Sequence, residues 1–242
     1  MRDIVCVVNA HREGALMIPT IRAVALAQAH AEAQGVDCGV CVILDATDDM
    51  TRETVADEAP DGWQVEETAE RDLGGARNRS VELAEPSRNI AFMDADDLCS
   101  RNWLAAGSRC ADAGGPGTVW HPSANLVFGA GDTYVYRHRD MDDPKFSLAY
   151  LLLDNYWTAL SLADRAVYRD HPYSRNRLDE GWGYEDWTWN AATIARGIRH
   201  KVVPQTAHFI RRKARSLLSE TKSARAMPRL GTLRDRLLTD DA

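Results

Sequence analysis

The chain lacks any apolar run approaching the ~20 residues that cross a bilayer. Its opening residues, M-R-D-I-V-C-V-V-N, turn polar after a handful of apolar positions, so they read as a first strand and not as a secretory leader. Cysteine is sparse. Cys6, Cys38, Cys41, Cys99 and Cys110 form an odd set without paired zinc-type spacing, and the one close pair, Cys38 and Cys41, lies inside an apolar run. Buried thiols in a reducing cytoplasm are the expectation. Positive charge is also short: 29 Lys and Arg face 36 Asp and Glu, for a formal net charge of -7. That balance excludes general nucleic-acid binding, which needs a basic surface. No G-x-x-x-x-G-K-[ST] loop and no G-x-G-x-x-G fingerprint occurs, which removes two common nucleotide-binding loops. Internal repeats and low-complexity linkers are missing as well. With 242 residues, 45% of them hydrophobic and 27% charged, one domain with a substantial core is expected over 1–242.

What is present is an alternation of strands and helices. Asp3 to Asn9 reads as a strand, Ile18 to Gln34 as a helix ending near Gly35, and Cys38 to Leu44 as a second strand. The stretch after Asp45, rich in Asp and Thr, suits a turn and the first turn of another helix. Trp63 to Thr68 alternates as a third strand, Gly74-Gly75 opens a helix that breaks at Pro86, and Ile90 to Met93 forms a fourth strand. This order predicts an α/β fold, a mostly parallel sheet flanked by helices, with ligands beyond the carboxyl ends of the strands. The second half is less regular. A helix is expected over Arg101 to Ala113, short strands at Thr118 to His121, Leu126 to Phe128 and Thr133 to Tyr136, and helical or mixed structure over Leu148 to Ala166. From Phe209 onward nine Lys or Arg residues face four acids, a local basic asymmetry in an acidic chain.

The densest chemistry is in N-I-A-F-M-D-A-D-D-L, residues 89 to 98, where a buried strand ends in Asp94, Asp96 and Asp97. Carboxylates this close repel one another unless a cation or basic partner sits among them. Three readings stand: a divalent metal on a phosphate substrate, a phosphatase-like nucleophile pair, or helix capping. A phosphatase pair is expected after the first strand, whereas this one follows the fourth.

Ordered motifs around that run resemble those of the family 2 glycosyltransferases. D-L-G-G-A-R-N-R-S before N-I-A-F-M-D-A-D-D is similar to that family's G-x-x-x-A-R-N helix and D-A-D-D strand end. Val7 to Glu13 resembles its first strand and nucleotide loop, V-I-L-D-A-T-D-D-M-T at 42–51 its V-V-D-D-G-S-T-D-G-T motif, and Y-E-D-W at 184–187 its E-D-W motif. The closing V-V-P and F-I-R-R-K-A-R-S-L-L-S are similar to its ending, so the resemblance spans about residues 3 to 220.

The resemblance implies a GT-A fold, with a nucleotide-sugar half at 1–98, an irregular acceptor and catalytic half at 99–220 and a tail at 221–242. It implies a metal-dependent, inverting hexosyltransferase that uses Mn2+ or Mg2+ and a nucleotide-diphosphate sugar, expected to be a UDP-sugar. Asn9, His11 and Glu13 fall in the nucleotide loop. Asp45 corresponds to the residue that meets the base, although Leu44 replaces its acidic neighbour and Ala46-Thr47 replaces Gly-Ser. Asp96 becomes the direct metal ligand and Asp94 the residue nearer the sugar or ribose, with Asp97 in support or capping a helix. Arg77 is expected on the pyrophosphate or sugar. His208 is a possible third metal ligand, and Arg211 and Arg212 with Lys213 are expected to neutralise the diphosphate. Asp186, beside Glu185, is the candidate base for an acceptor hydroxyl, the alternative being that both acids serve only a helix N-terminus. Trp182, Tyr184 and Trp187 are candidates to face the acceptor, a saccharide, lipid-linked sugar or small natural product. A noncatalytic nucleotide-sugar-binding module and a phosphoryl-transfer or hydrolytic enzyme are the alternative functions. Cytoplasmic location, with peripheral contact at the inner face of a membrane, completes the expectation.

Overall fold

A computed structural model describes residues 1–214 and 216–240. Its first half follows the alternation in the sequence: β1 (Arg2–Ala10), α1 (Met17–Ala33), β2 (Cys38–Asp45), α2 (Asp49–Glu58), β3 (Gln64–Thr68), α3 (Leu73–Leu83) and β4 (Ser87–Asp94). The strands pair in parallel in the order β3-β2-β1-β4. β1 and β2 are central and covered on both faces, which is why they read as continuous apolar runs. α2 starts where Asp48 accepts the Thr51 N–H (2.9 Å), and α3 where Asp72 accepts the Gly75 N–H (2.8 Å). A side chain at Gly74 would lie 2.4 Å from the Ser174 carbonyl oxygen, so that glycine lets a second-half loop lie against α3.

The second half extends the same sheet. Its elements are β5 (Leu98–Cys99), α4 (Trp103–Gly114), β6 (Thr118–Gly129), β7 (Tyr134–Arg137), β8 (Ser161–Asp164), α5 (Arg165–Asp170), α6 (Glu185–Ala195), β9 (Arg199–Arg212), α7 (Leu217–Ser223) and α8 (Gly231–Asp240). β8 runs antiparallel between β4 and β6, β9 runs parallel to β6, and the short β5 pairs antiparallel with β9. Two strands are longer than the sequence pattern suggests. β6 joins two segments expected to be separate, through an irregularity between Pro122 and Ala124. β9 runs fourteen residues although Pro204 removes a ladder donor and Gln205 takes φ 59°. β8 lies within the stretch expected to be mixed.

One apolar layer packs α1 and α4 on the sheet, and a second packs Val81, Tyr168, Tyr173 and Trp189 on the opposite face. All five cysteines are free thiols, and Cys6, Cys38, Cys41 and Cys99 are buried. Among the described residues no helix is long and apolar enough to cross a membrane.

Candidate active site

Parallel pairing brings the ends of β1, β2 and β4 to one edge of the sheet, with Asn9 opposite Asp94 and Ala10 opposite Leu44. Both amide atoms of Asn9 are buried without a partner among the described residues, as is the Thr47 hydroxyl. Beyond these strand ends lies a cavity of about 470 Å³ lined by His11, Arg12, Ala46, Thr47 and Arg71. Ala46 and Arg71, both non-glycine, adopt φ of 45° and 52° there. Such backbone persists only where its surroundings impose it, and it concentrates at binding sites. Asp45 ties the floor together: Oδ1 accepts from the Thr68 hydroxyl (2.9 Å) and the Glu70 N–H (2.6 Å), while its carbonyl oxygen meets His11 Nδ1 at 2.5 Å.

The three acids after β4 separate into three environments. Asp94 Oδ1 accepts from Arg77 Nη2 at 2.9 Å. Asp96 Oδ2 lies 2.6 Å from Lys213 Nζ, which also approaches Glu13 Oε1 at 3.9 Å. Burial pushes the Asp96 carboxyl up, and neighbouring Asp97 adds to the rise against the opposing effect of Lys213. Burial likewise raises Glu13, whose Oε2 accepts the His11 N–H (2.6 Å). Asp97 accepts the Arg211 N–H at 2.7 Å and meets His208 Nε2 at 2.9 Å. That pairing ties β4 to β9 and leaves Asp97 no capping duty, since α4 begins only at Trp103.

His208 is buried with both ring nitrogens engaged, Nδ1 lying 3.2 Å from the Thr158 hydroxyl. Among the described residues, no three His, Cys, Asp or Glu side chains converge as a metal cage. Asp94 and Asp96 nevertheless carry hard carboxylate oxygens, Asp94 standing opposite Asn9 and its unpartnered amide, and a divalent ion held by one or two carboxylates takes its other ligands from substrate phosphate and water. Those residues fit such an ion.

Arg77 departs from the contact expected of it. It is 0% exposed, Nη2 donates to Asp94, and Nη1 donates to Glu185 Oε1 at 2.9 Å. Its guanidinium lies 5.3 Å from the Tyr173 ring centroid. Burial works against the charge, but Asp94 and Glu185 outweigh it and raise the Arg77 pKa. Both terminal nitrogens are thus committed to carboxylates, and Arg77 joins the end of β4 to the start of α6. The far oxygen of Glu185 accepts from Asn176 Nδ2 (3.1 Å), completing the buried acid's partners.

Asp186 stands one residue further along α6. Oδ1 accepts its neighbour's Trp187 N–H (2.8 Å), and Oδ2 lies 3.5 Å from Asn155 Nδ2. Burial first, then Glu185, pushes its carboxyl up to about 7, against the pull of Arg77. Tyr184 precedes this pair with φ 56° and ψ 59°. Trp187 donates to the Leu151 carbonyl oxygen (2.8 Å), and Trp182 is 38% exposed beneath the Arg229 guanidinium. Trp182, Tyr184 and Trp187 therefore cluster at one end of α6, whereas Trp189 stacks on Tyr173 in the core.

Among the basic candidates, Arg211 donates through Nε to the Asp96 carbonyl oxygen (3.0 Å) and lies over Phe128. Arg212 turns away to the Tyr134 hydroxyl and ring. Asn155, Thr158, Arg12 and Arg71 were not singled out by sequence reasoning. They lie in irregular segments with no periodicity, and only the fold brings them to the cleft.

Three separate comparisons bear on this arrangement. A family model described as glycosyl transferase family 2 matches residues 5–182, more than half of the chain. No curated protein matches in sequence. Among solved structures, S. aureus TarS is 14% identical with a TM-score of 0.60, covering 97% of this chain and 42% of its own. TarS 1–349 in complex with UDP-GlcNAc is 16% identical, with a TM-score of 0.59 and coverage of 90% and 60%. GalNAc-T7 with UDP, GalNAc and Mn2+ is 15% identical, with a TM-score of 0.59 and coverage of 93% and 47%. The chain thus spans less than two thirds of the length of these structures, and the likeness to them is one of fold, the GT-A glycosyltransferase architecture. On the family match, this chain belongs to glycosyl transferase family 2.

Proposed function

We propose that the chain transfers a hexose from a UDP-sugar to an acceptor hydroxyl, with inversion at the anomeric carbon. The observation that carries this reading is the Arg77 bridge, 2.9 Å to Asp94 and 2.9 Å to Glu185, which fixes a donor-side acid relative to the acid pair that includes Asp186. Two carboxylate groups on one buried guanidinium keep their separation, and such positioning lowers the barrier to an in-line displacement. The UDP-GlcNAc bound to TarS and the UDP, GalNAc and Mn2+ bound to GalNAc-T7 support the choice of donor and ion.

In this mechanism the nucleotide occupies the cavity beside His11, Arg12, Ala46, Thr47 and Arg71, next to Asn9 at the end of β1 and to Glu13 and Asp45, which both hydrogen-bond His11. Asp94 and Asp96 would hold Mn2+ or Mg2+, which would supply positive charge to offset that of the departing diphosphate. His208 orients Asp97 instead of ligating, and Arg211 fixes the Asp96 backbone. Arg77 acts as a positioning residue for Asp94 and Glu185. Asp186 accepts the proton of the acceptor hydroxyl, helped by a raised pKa that keeps the carboxylate basic. Trp182, Tyr184 and Trp187 present aromatic faces to a saccharide, lipid-linked sugar or small natural product. The free thiols support a cytoplasmic setting, and the basic residues after Phe209 support peripheral contact with an acidic membrane face.

The test is a donor screen with Mn2+, reading nucleotide release and the anomeric configuration of the product. Release of UDP with an inverted product is expected. A retained configuration, or transfer by Asp186→Asn at the wild-type rate, overturns the assigned mechanism.

A further inference from the structure

The loop that leads into Glu185 and Asp186 is gripped from outside by the C-terminal segment. The Gly183 N–H donates to the Met227 carbonyl oxygen (3.1 Å), and the Met227 N–H donates to that of Gly181 (2.9 Å). Trp182 is thereby bridged to Met227 on one side and to Arg177 on the other. The grip is also steric. A Cβ on Gly183 would lie 2.6 Å from Thr221 Cγ2 and 3.2 Å from Ala226 Cβ. Thr221 is buried on α7 and donates its hydroxyl to the Leu217 carbonyl oxygen (2.8 Å). That bond to the carbonyl one turn back fixes the Thr221 χ1, so this methyl is a fixed stop beneath the loop.

Two further contacts carry the grip along α6. The Arg229 N–H donates to the Thr188 hydroxyl (3.0 Å), and Arg236 donates to the Ile194 carbonyl oxygen (2.9 Å) at the helix end. Between the clamped glycines and the acids stands Tyr184, left-handed and without a side-chain cap for α6. A tyrosine holds that backbone only where neighbouring structure over-determines it. The neighbouring structure is the Gly181–Gly183 backbone and, through it, the tail.

We propose that Thr221, together with Met227, positions the acceptor-side acid: the Thr221 methyl and the Met227 backbone hold Gly183, keep Tyr184 left-handed, and so set where Asp186 points. The inference rests on the reading of Asp186 as the base of the transfer. Thr221 touches no reacting atom and acts only through the loop. The acid it aims faces Glu185 on its own helix, Arg77 from α3, Asp94 from β4 and Asn155 from the segment before β8.

The test pairs Thr221→Ala, which removes the methyl and the hydroxyl, with Thr221→Val, which keeps the methyl stop and replaces the hydroxyl by a second methyl. Amide hydrogen exchange at residues 184–187 is followed in the full chain without substrate, and transfer is followed with donor and acceptor. Thr221→Ala is expected to exchange about tenfold faster there, a local opening. Its kcat is expected to fall about tenfold with UDP affinity within about twofold, as for a misplaced catalytic group. Its kcat/KM profile should lose its acidic limb near neutrality, while Thr221→Val stays with the wild type in every readout. Wild-type exchange and kcat in Thr221→Ala overturn the proposal. So do equal losses in both variants, and so does faster exchange with an unchanged kcat. If the wild-type chain transfers no sugar from any donor, the functional reading fails, and the exchange data still decide whether the tail holds the loop.

Discussion

Lys213 Nζ lies 2.6 Å from Asp96 Oδ2, on the carboxylate assigned to a divalent ion. Both side chains are largely shielded from solvent, so the ammonium is a real competitor for that oxygen. Lys213→Met should therefore raise the affinity for Mn2+ without nucleotide by up to about fivefold, the upper worth of such an ion pair. UDP affinity should fall in the same variant, because a cation beside the diphosphate is lost. Titration calorimetry reads both constants. An unchanged or weakened Mn2+ affinity shows that Lys213 does not compete for the site.

Arg77→Met should destabilise the fold by about 3–5 kcal/mol, the usual cost of leaving buried charges without their partner. Here the stranded groups are Asp94 and Glu185. For a chain of this size that corresponds to a melting temperature lower by on the order of 10 °C. Arg77→Lys should recover only part of the loss, since one ammonium lacks the planar fork that reaches both carboxylates. Urea denaturation checks the order wild type, Lys, Met.

The parallel half of the fold was legible because it is built from local signals. Apolar runs marked β1, β2 and β4, the Asp- and Thr-rich stretch after Asp45 marked the start of α2, and Gly74-Gly75 marked that of α3. β9 was not, because Pro204 and the left-handed Gln205 interrupt a strand whose pairing with β6 is set by tertiary contact. The acids at 94–97 stood out in the sequence, yet their division of labour did not. Lys213, His208 and Arg77 reach them from β9, its tail and α3, across separations that no short motif encodes. Arg77 shows the limit most clearly: an arginine beside a glycine pair suits an anion site as well as a buried ion pair, and only complete burial separates the two.

The pH dependence of transfer should report Asp186. A base must be deprotonated to act, and burial with Glu185 nearby pushes this carboxyl up to about 7. The value of kcat/KM should therefore rise with pH and level off above neutrality. The stability effect has the opposite sign. A carboxyl whose folded pKa is raised favours the protonated fold, so Asp186 costs stability increasingly as pH climbs from its unfolded value towards about 7. Asp186→Asn should consequently lose transfer while melting at a higher temperature than the wild type at pH 8. A lower melting temperature for Asp186→Asn at that pH contradicts the burial argument.

Acid should destabilise the chain through a different group of side chains. His121, His138 and His200 are buried together around Trp157, with His121 Nε2 and His200 Nδ1 3.0 Å apart. Burial lowers all three, His138 and His200 to about 3, with His200 and His138 adding to the shift of His121. The unfolded chain binds protons near the ordinary histidine pKa of about 6.5 while the fold still refuses them. Stability is thus complete above that value and is lost as pH falls below it, at about 1.4 kcal/mol per pH unit for each histidine kept neutral. Denaturant titrations at pH 7.5, 6 and 5 should show this slope. His138→Gln should reduce it by about one proton, because glutamine cannot titrate. An equal slope in that variant would mean that His138 is protonated in the folded chain.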